Sequence, residues 1–183
     1  MLTAGAEATP GTDAIIRFIA RQLIARGGTA VHHSHGPVQA VVRHRRLGAM
    51  SYCGLVDGDA ALSAGITQVV DAFYADLKQW HAASKHWQTI GYGFMKGSWA
   101  TLLFVFPHAN AEVTRTIRRE KRTDRELPQG WSMTVSGTQV ACWVADTSNG
   151  WVRGSKFPPF TFGRYPGRRT LRSLLRHAVH EAG

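Results

Sequence analysis

Two groups of side chains in this sequence have the chemistry to act on another molecule. The larger lies in the C-terminal third. Between Thr147 and His180 there is no Asp or Glu, yet the span carries Arg153, Lys156, Arg164, Arg168, Arg169, Arg172 and Arg176. Trp151, Phe157, Phe160, Phe162 and Tyr165 are interleaved with them. Guanidinium groups engage phosphate oxygens, and flat aromatic faces stack on unpaired bases. An earlier run, Arg115, Arg118, Arg119, Lys121, Arg122 and Arg125, supplies a second basic segment. The residues expected to meet a nucleic acid are therefore Arg115, Arg118, Arg119, Lys121, Arg122, Trp151, Arg153, Lys156, Phe160, Arg164, Tyr165, Arg168, Arg169 and Arg172. The competing account has the aromatic rings pinning a loop to the core and the arginines merely solvated.

The second group is His32, His33, His35 and His44. Residues i and i+2 of a strand share a face, so His33 and His35 would point together. Two imidazoles so placed are candidate ligands for a divalent metal. The pattern resembles the paired-histidine strand of single-strand nicking enzymes, in which a tyrosine on a helix attacks the phosphate. That resemblance implies Tyr74 as nucleophile, with Lys78 one turn on. The sequence departs from the pattern in three ways. Ser34 stands between the histidines instead of a bulky apolar residue, Gly36-Pro37 follows at once, and the tyrosine–lysine spacing is four rather than three. Two other readings are a polar hairpin tip with exposed histidines, and phosphate contact by protonated His beside Arg43, Arg45 and Arg46.

Other reactive side chains are sparse. Asp57, Asp59, Asp71 and Asp76 read as a turn, a cap and a solvent face as readily as general acids or bases. Cys53 and His108 form a candidate nucleophile pair only if the fold brings them together. Gly91, Gly93 and Gly97 do not make a phosphate loop, because the GK[ST] ending is absent. No cofactor is implied. Of the tryptophans, Trp80 and Trp99 read as core, whereas Trp87, Trp131 and Trp151 stand at element ends, where a ring can join a contact surface.

Charge points the same way as the first group. The chain has 22 Lys+Arg against 12 Asp+Glu, a formal net charge of +10. Most of that excess lies in residues 93–183, with 14 basic and 6 acidic side chains. Such an imbalance favours polyanionic partners. Cys53 and Cys142 are the only cysteines, too few and too far apart for a disulfide framework. The N-terminal residues lack the pattern of a secretory leader. No apolar run approaches the ~20 residues of a membrane span. A cytoplasmic location is expected.

The elements that must position these groups follow from periodicity. At 183 residues, one hydrophobic core is expected. Residues 1–11 read as a tail and 12–183 as a single domain. A helix is expected from Thr12 or Asp13 to Gly27, with an apolar stripe of Ile15, Ile16, Ile19, Leu23 and Ile24. Thr29–Arg46 reads as two strands broken at Gly36-Pro37. A loop containing Gly48, Gly54 and Gly58 is expected next, then a helix capped by Asp59 and running to about Ser84. Leu62, Ile66, Val69, Val70, Phe73, Leu77 and Trp80 make its apolar face. Gln88–Phe106 reads as a central hairpin turning at Lys96-Gly97, with its second strand buried on both faces. Ala111 to about Arg125 reads as a basic surface helix. A further hairpin turns at Ser136-Gly137, and Trp151-Val152 follows another turn. Residues 153–169 read as an ordered loop, and Thr170–Glu181 as the last helix.

The expected fold is thus α+β: one domain, with a mostly antiparallel sheet of six or seven strands built from hairpins and about four helices packed on it. The expected function is non-enzymatic nucleic-acid binding, as RNA or DNA held mainly by its backbone, within a larger nucleoprotein assembly. A protein–protein adaptor, chaperone or assembly subunit with an acidic partner is the main alternative. A metal-dependent phosphodiesterase or nicking enzyme using His33 and His35 is the second.

Overall fold

The structure, a computed structural model, describes residues 11–33, 36–46, 49–88, 95–126, 135–155 and 165–181. In chain order these form α1 (Thr12–Ala25), β1 (Thr29–Val31), β2 (Val38–Arg46), β3 (Ala49–Asp57), α2 (Gly58–Ala64), α3 (Ile66–Gln88), β4 (Met95–Phe106), α4 (Ala111–Arg119), β5 (Lys121–Glu126), β6 (Val135–Asp146), β7 (Trp151–Gly154) and α5 (Arg168–Glu181). The strands make one sheet in the order β1-β2-β3-β4-β6-β5, with β7 also lying beside β6. Four of its pairings are antiparallel, as expected of an α+β sheet. The two central ones, β3–β4 and β4–β6, are parallel.

Parallel neighbours need crossover connections, and helices supply them. The chain leaves β3 through α2 and α3 to reach β4, and leaves β4 through α4 and β5 to reach β6. These helices cover one face, where Phe73 and Leu77 of α3 and Ile117 of α4 bury against Tyr52, Leu102, Phe104, Cys142 and Val144. The other face carries α1 and α5, packed on Cys53, Leu55, Leu103, Val105 and Trp143. Strand β4 therefore meets protein on both sides. Leu102 to Phe106 are all at most 1% exposed, each side chain stabilising the fold by about 1.5–3 kcal/mol relative to exposure. The continuous apolar run read in the sequence has this cause. Among the described residues no helix is long and apolar enough to cross a membrane.

Several local expectations fail, each because a distant partner overrides a nearby signal. Lys96-Gly97 is no turn. β4 runs straight through it, pairing Lys96 with Ser136 and Gly97 with Gly137. Ser136-Gly137 is likewise inside β6, where Gly137 takes a φ of 116° that glycine alone adopts readily. Residues 89–94 and 131–134, the alternating arms of the two expected hairpins, lie outside the described residues. The glycine-rich stretch before α2 is strand β3, not a loop. Gly54 is there because a Cβ would come within 2.7 Å of Leu102 and 2.8 Å of the Phe73 ring; its bareness seats α3 on the sheet.

The long helix is two helices parted at Gly65, which takes a φ of 88°. Asp57, not Asp59, caps the first, accepting from the Ala60 N–H at 2.9 Å. The break leaves Leu62 exposed. The basic helix ends early, at Arg119. Glu120 is extended, and Lys121–Glu126 form β5 because β6 offers an open edge to pair with.

Candidate nucleic-acid interface

Helix α4 starts at Asn110, whose side chain accepts from the Val113 N–H at 2.8 Å. Its inward residues Thr114 and Ile117 are buried, which turns Arg115, Arg118 and Arg119 to solvent. Strand β5 begins two residues later with exposed Lys121. The outer edge of β6 is shared: β5 pairs up to Ala141, and β7 resumes at Trp143. The Cys142 carbonyl falls in the gap and accepts from both the backbone N–H (3.2 Å) and the hydroxyl (3.3 Å) of Ser155. Arg118 Nε donates to the Gly154 carbonyl at 3.2 Å, tying α4 to the end of β7.

These contacts leave a notch of about 500 Å³ at the sheet edge, lined by Arg115, Arg118, Arg119, Lys121 and Ser155. Among the described residues, none of the four cations forms an ion pair. Beside the notch, exposed Arg153 places its guanidinium 4.7 Å from the centre of the half-buried Trp151 ring. No protein-family model, curated protein or solved structure matches this chain.

The remaining expected contact residues divide. Arg122 belongs to the fold rather than the notch: it donates to Asp71 of α3 at 2.6 Å and to Glu120 at 2.9 Å. The bond to Asp71, with Glu120 beside it, raises its pKa against the opposing effect of burial. Arg168, Arg169 and Arg172 lie exposed on α5, in the helix layer on the opposite face. Arg168 reaches back to the Val152 carbonyl at 3.0 Å, so α4 and α5 approach β7 from its two sides. Tyr165 is not with them. Its N–H donates to Ser51, and its ring packs edge-on to His44, centroids 4.5 Å apart. Lys156, Phe160 and Arg164 lie outside the described residues.

The histidine group reads differently in space. His33 pairs with Asp76 of α3 at 2.9 Å and packs edge-on to Phe73 and Trp80, while His35 lies outside the described residues. Tyr74 points instead towards β6, its hydroxyl accepting from Thr138 at 3.2 Å, with Lys78 over its ring. The fold does not bring Tyr74 to His33. Among the described residues no three His, Cys, Asp or Glu side chains gather as a metal site requires. Cys53 is buried in mid-strand opposite Thr101, five residues and roughly 17 Å of strand from the end of β4, and His108 lies beyond that end.

One ordered polar cluster escaped the sequence reading. Asp146, fully buried at the end of β6, accepts from the Ala109 N–H (3.0 Å), the Ser148 hydroxyl (2.7 Å), the Asn149 N–H (2.9 Å) and the Asn149 amide. Burial pushes its pKa up, but these donors outweigh burial and hold it below the usual value. His108 Nδ1 lies 3.2 Å from the Ser148 hydroxyl and 3.8 Å from Asp146. A single ring nitrogen thus faces both partners, so no relay from serine through histidine to carboxylate is formed. The signal was present as Asp-Thr-Ser-Asn-Gly after an apolar strand, a sequence that favours a side-chain-capped turn.

Proposed function

We propose that this chain binds nucleic acid, through backbone phosphates drawn to the notch where α4, β5 and β7 meet. One observation carries the reading: Arg115, Arg118, Arg119 and Lys121 converge there with no carboxylate partner among the described residues. Like charges held together in this way repel one another, and a phosphate chain relieves that repulsion while releasing its own counterions. The neighbouring Arg153–Trp151 pair offers a flat cationic surface. Guanidinium planes and aromatic rings both stack on splayed-out bases. Arg168, Arg169 and Arg172 extend the positive surface beyond β7.

The test is the salt dependence of binding, read by fluorescence anisotropy with single-stranded and duplex oligonucleotides. Each neutralised phosphate contributes about 0.7 to the slope of log K against log salt on single strands. The triple variant Arg115→Ala, Arg119→Ala, Lys121→Ala should therefore flatten the slope by about 2. Between about 50 and 200 mM salt, wild type should lose roughly 20-fold more affinity than the variant does. Arg122→Ala, whose charge is already paired, should leave the slope as it is. Absence of binding to either probe at low salt, or an unchanged slope in the triple variant, removes the proposal.

A further inference from the structure

The opposite edge of the sheet holds a second basic concavity, independent of the notch. It is a half-open cleft of about 510 Å³ between the β1–β2–β3 edge and the C-terminal half of α3. Small-molecule sites commonly span about 300–1,000 Å³. Arg43, Arg45, Met50, Tyr52 and Trp80 are among the residues lining it, and no acidic side chain does so among the described residues. Arg43 and Arg45 stand two apart on β2, so they share a face about 7 Å apart. Neither forms an ion pair among the described residues. Burial raises the pKa of the Tyr52 phenol, and the charge of Arg43, its cross-strand neighbour, opposes that rise.

The aromatic wall is held rigid. Trp80 stacks on buried Tyr52, with centroids 5.2 Å apart and planes 20° apart. Phe73 and His33 meet Trp80 edge-on at 5.7 and 6.3 Å, and Asp76 fixes His33 in turn. Trp80 remains half-exposed. A fixed ring beside two guanidinium groups is complementary to a planar ring that carries a doubly charged anion. Guanidinium forks match phosphate geometry in two-point contacts. A ligand ring packed on a prefixed aromatic side chain forfeits little ordering entropy.

We propose that this cleft binds a nucleoside monophosphate, with the phosphate between Arg43 and Arg45 and the base against Trp80. The same group can arrive as a free nucleotide or as the phosphorylated end of a strand. Calorimetric titration of the full chain with AMP, adenosine and inorganic phosphate tests the assignment. AMP should bind saturably, and adenosine and phosphate each at least tenfold more weakly. Arg45→Gln, at an exposed position that the fold does not depend on, should weaken AMP at least tenfold and retain the wild-type circular dichroism spectrum. Tryptophan emission should change on AMP binding, and the change should shrink in Trp80→Phe. A 5′-phosphorylated dinucleotide tighter than AMP assigns the site to strand ends, and the reverse order assigns it to free nucleotide. Failure of AMP to saturate at millimolar concentration overturns the proposal. So does undiminished binding by Arg45→Gln, or phosphate alone binding as tightly as AMP.

Discussion

Asp146 should be among the most sensitive polar positions in this fold. Its carboxylate fastens the chain leaving β4 to the turn leaving β6, through the Ala109 N–H on one side and Ser148 and Asn149 on the other. Asp146→Ala strands the Ala109 N–H at a buried position, which costs about 1–3 kcal/mol. Ser148 and Asn149 are exposed and regain water, so their lost bonds add only about 1 kcal/mol. The sum is about 3 kcal/mol, or roughly 10 °C in Tm for a chain of this size. Asp146→Asn keeps the volume and one acceptor but turns an amide N–H₂ towards one set of donors, for about 2 kcal/mol. Urea unfolding at neutral pH measures both. The pH dependence adds a second reading. Because the folded-state pKa is depressed, the carboxylate contributes stability above its unfolded pKa of about 3.9. That contribution fades as pH falls through the folded value. The gap between wild type and Asp146→Asn should therefore begin to narrow as pH falls through about 4 and go on narrowing through the lower folded value. A loss under about 1 kcal/mol for Asp146→Ala, or a gap that ignores pH, would refute the reasoning.

Two further perturbations follow from packing. Gly54→Ala forces a methyl against Leu102 and the Phe73 ring, and should lower stability by about 1–3 kcal/mol in urea melts by unseating α3. Cys53 and Cys142 are both buried, and burial pushes the Cys142 thiol well above its ordinary range. Iodoacetamide at mildly alkaline pH should therefore leave both unmodified in the native protein by mass spectrometry, and modify both in urea.

What the sequence made legible was what repeats locally. The stripe Val69, Val70, Phe73 and Leu77 declares α3, and all four side chains are buried. Leu171, Leu174, Leu175 and Ala178 do the same for α5. The unbroken apolar stretch of β4 declares a strand covered twice. The misread segments are those whose reason lies far along the chain. Gly54 looks like loop glycine until Phe73 is placed over it. Gly97 and Gly137 look like two turns, yet they pair with each other across the parallel ladder. The candidate site follows the same division. That Arg115 to Arg122 are basic is plain in the sequence. That Arg122 is neutralised depends on Asp71, 51 residues away, and that Tyr165 sits over His44 depends on how the chain returns across the sheet.

The notch itself is a product of topology, and topology also separates two accounts of its charge. Exposed sheet edges are commonly blunted by charged residues, which discourage pairing with a second chain. β5 fits that role with mixed signs, as its sequence Lys-Arg-Thr-Asp-Arg-Glu holds three cations and two anions. The notch does not need it, since Ser155 already occupies the unpaired Cys142 carbonyl between β5 and β7. Arg118 and Arg119 also gain from the negative end of the α4 dipole, but that partial charge of about half an electron offsets only a fraction of four cations. Edge protection calls for charge of either sign, and dipole complementarity for one or two residues in the last helical turn. A single-sign cluster drawn from a helix end and the start of a strand exceeds both requirements. The surplus is what an anionic partner would neutralise.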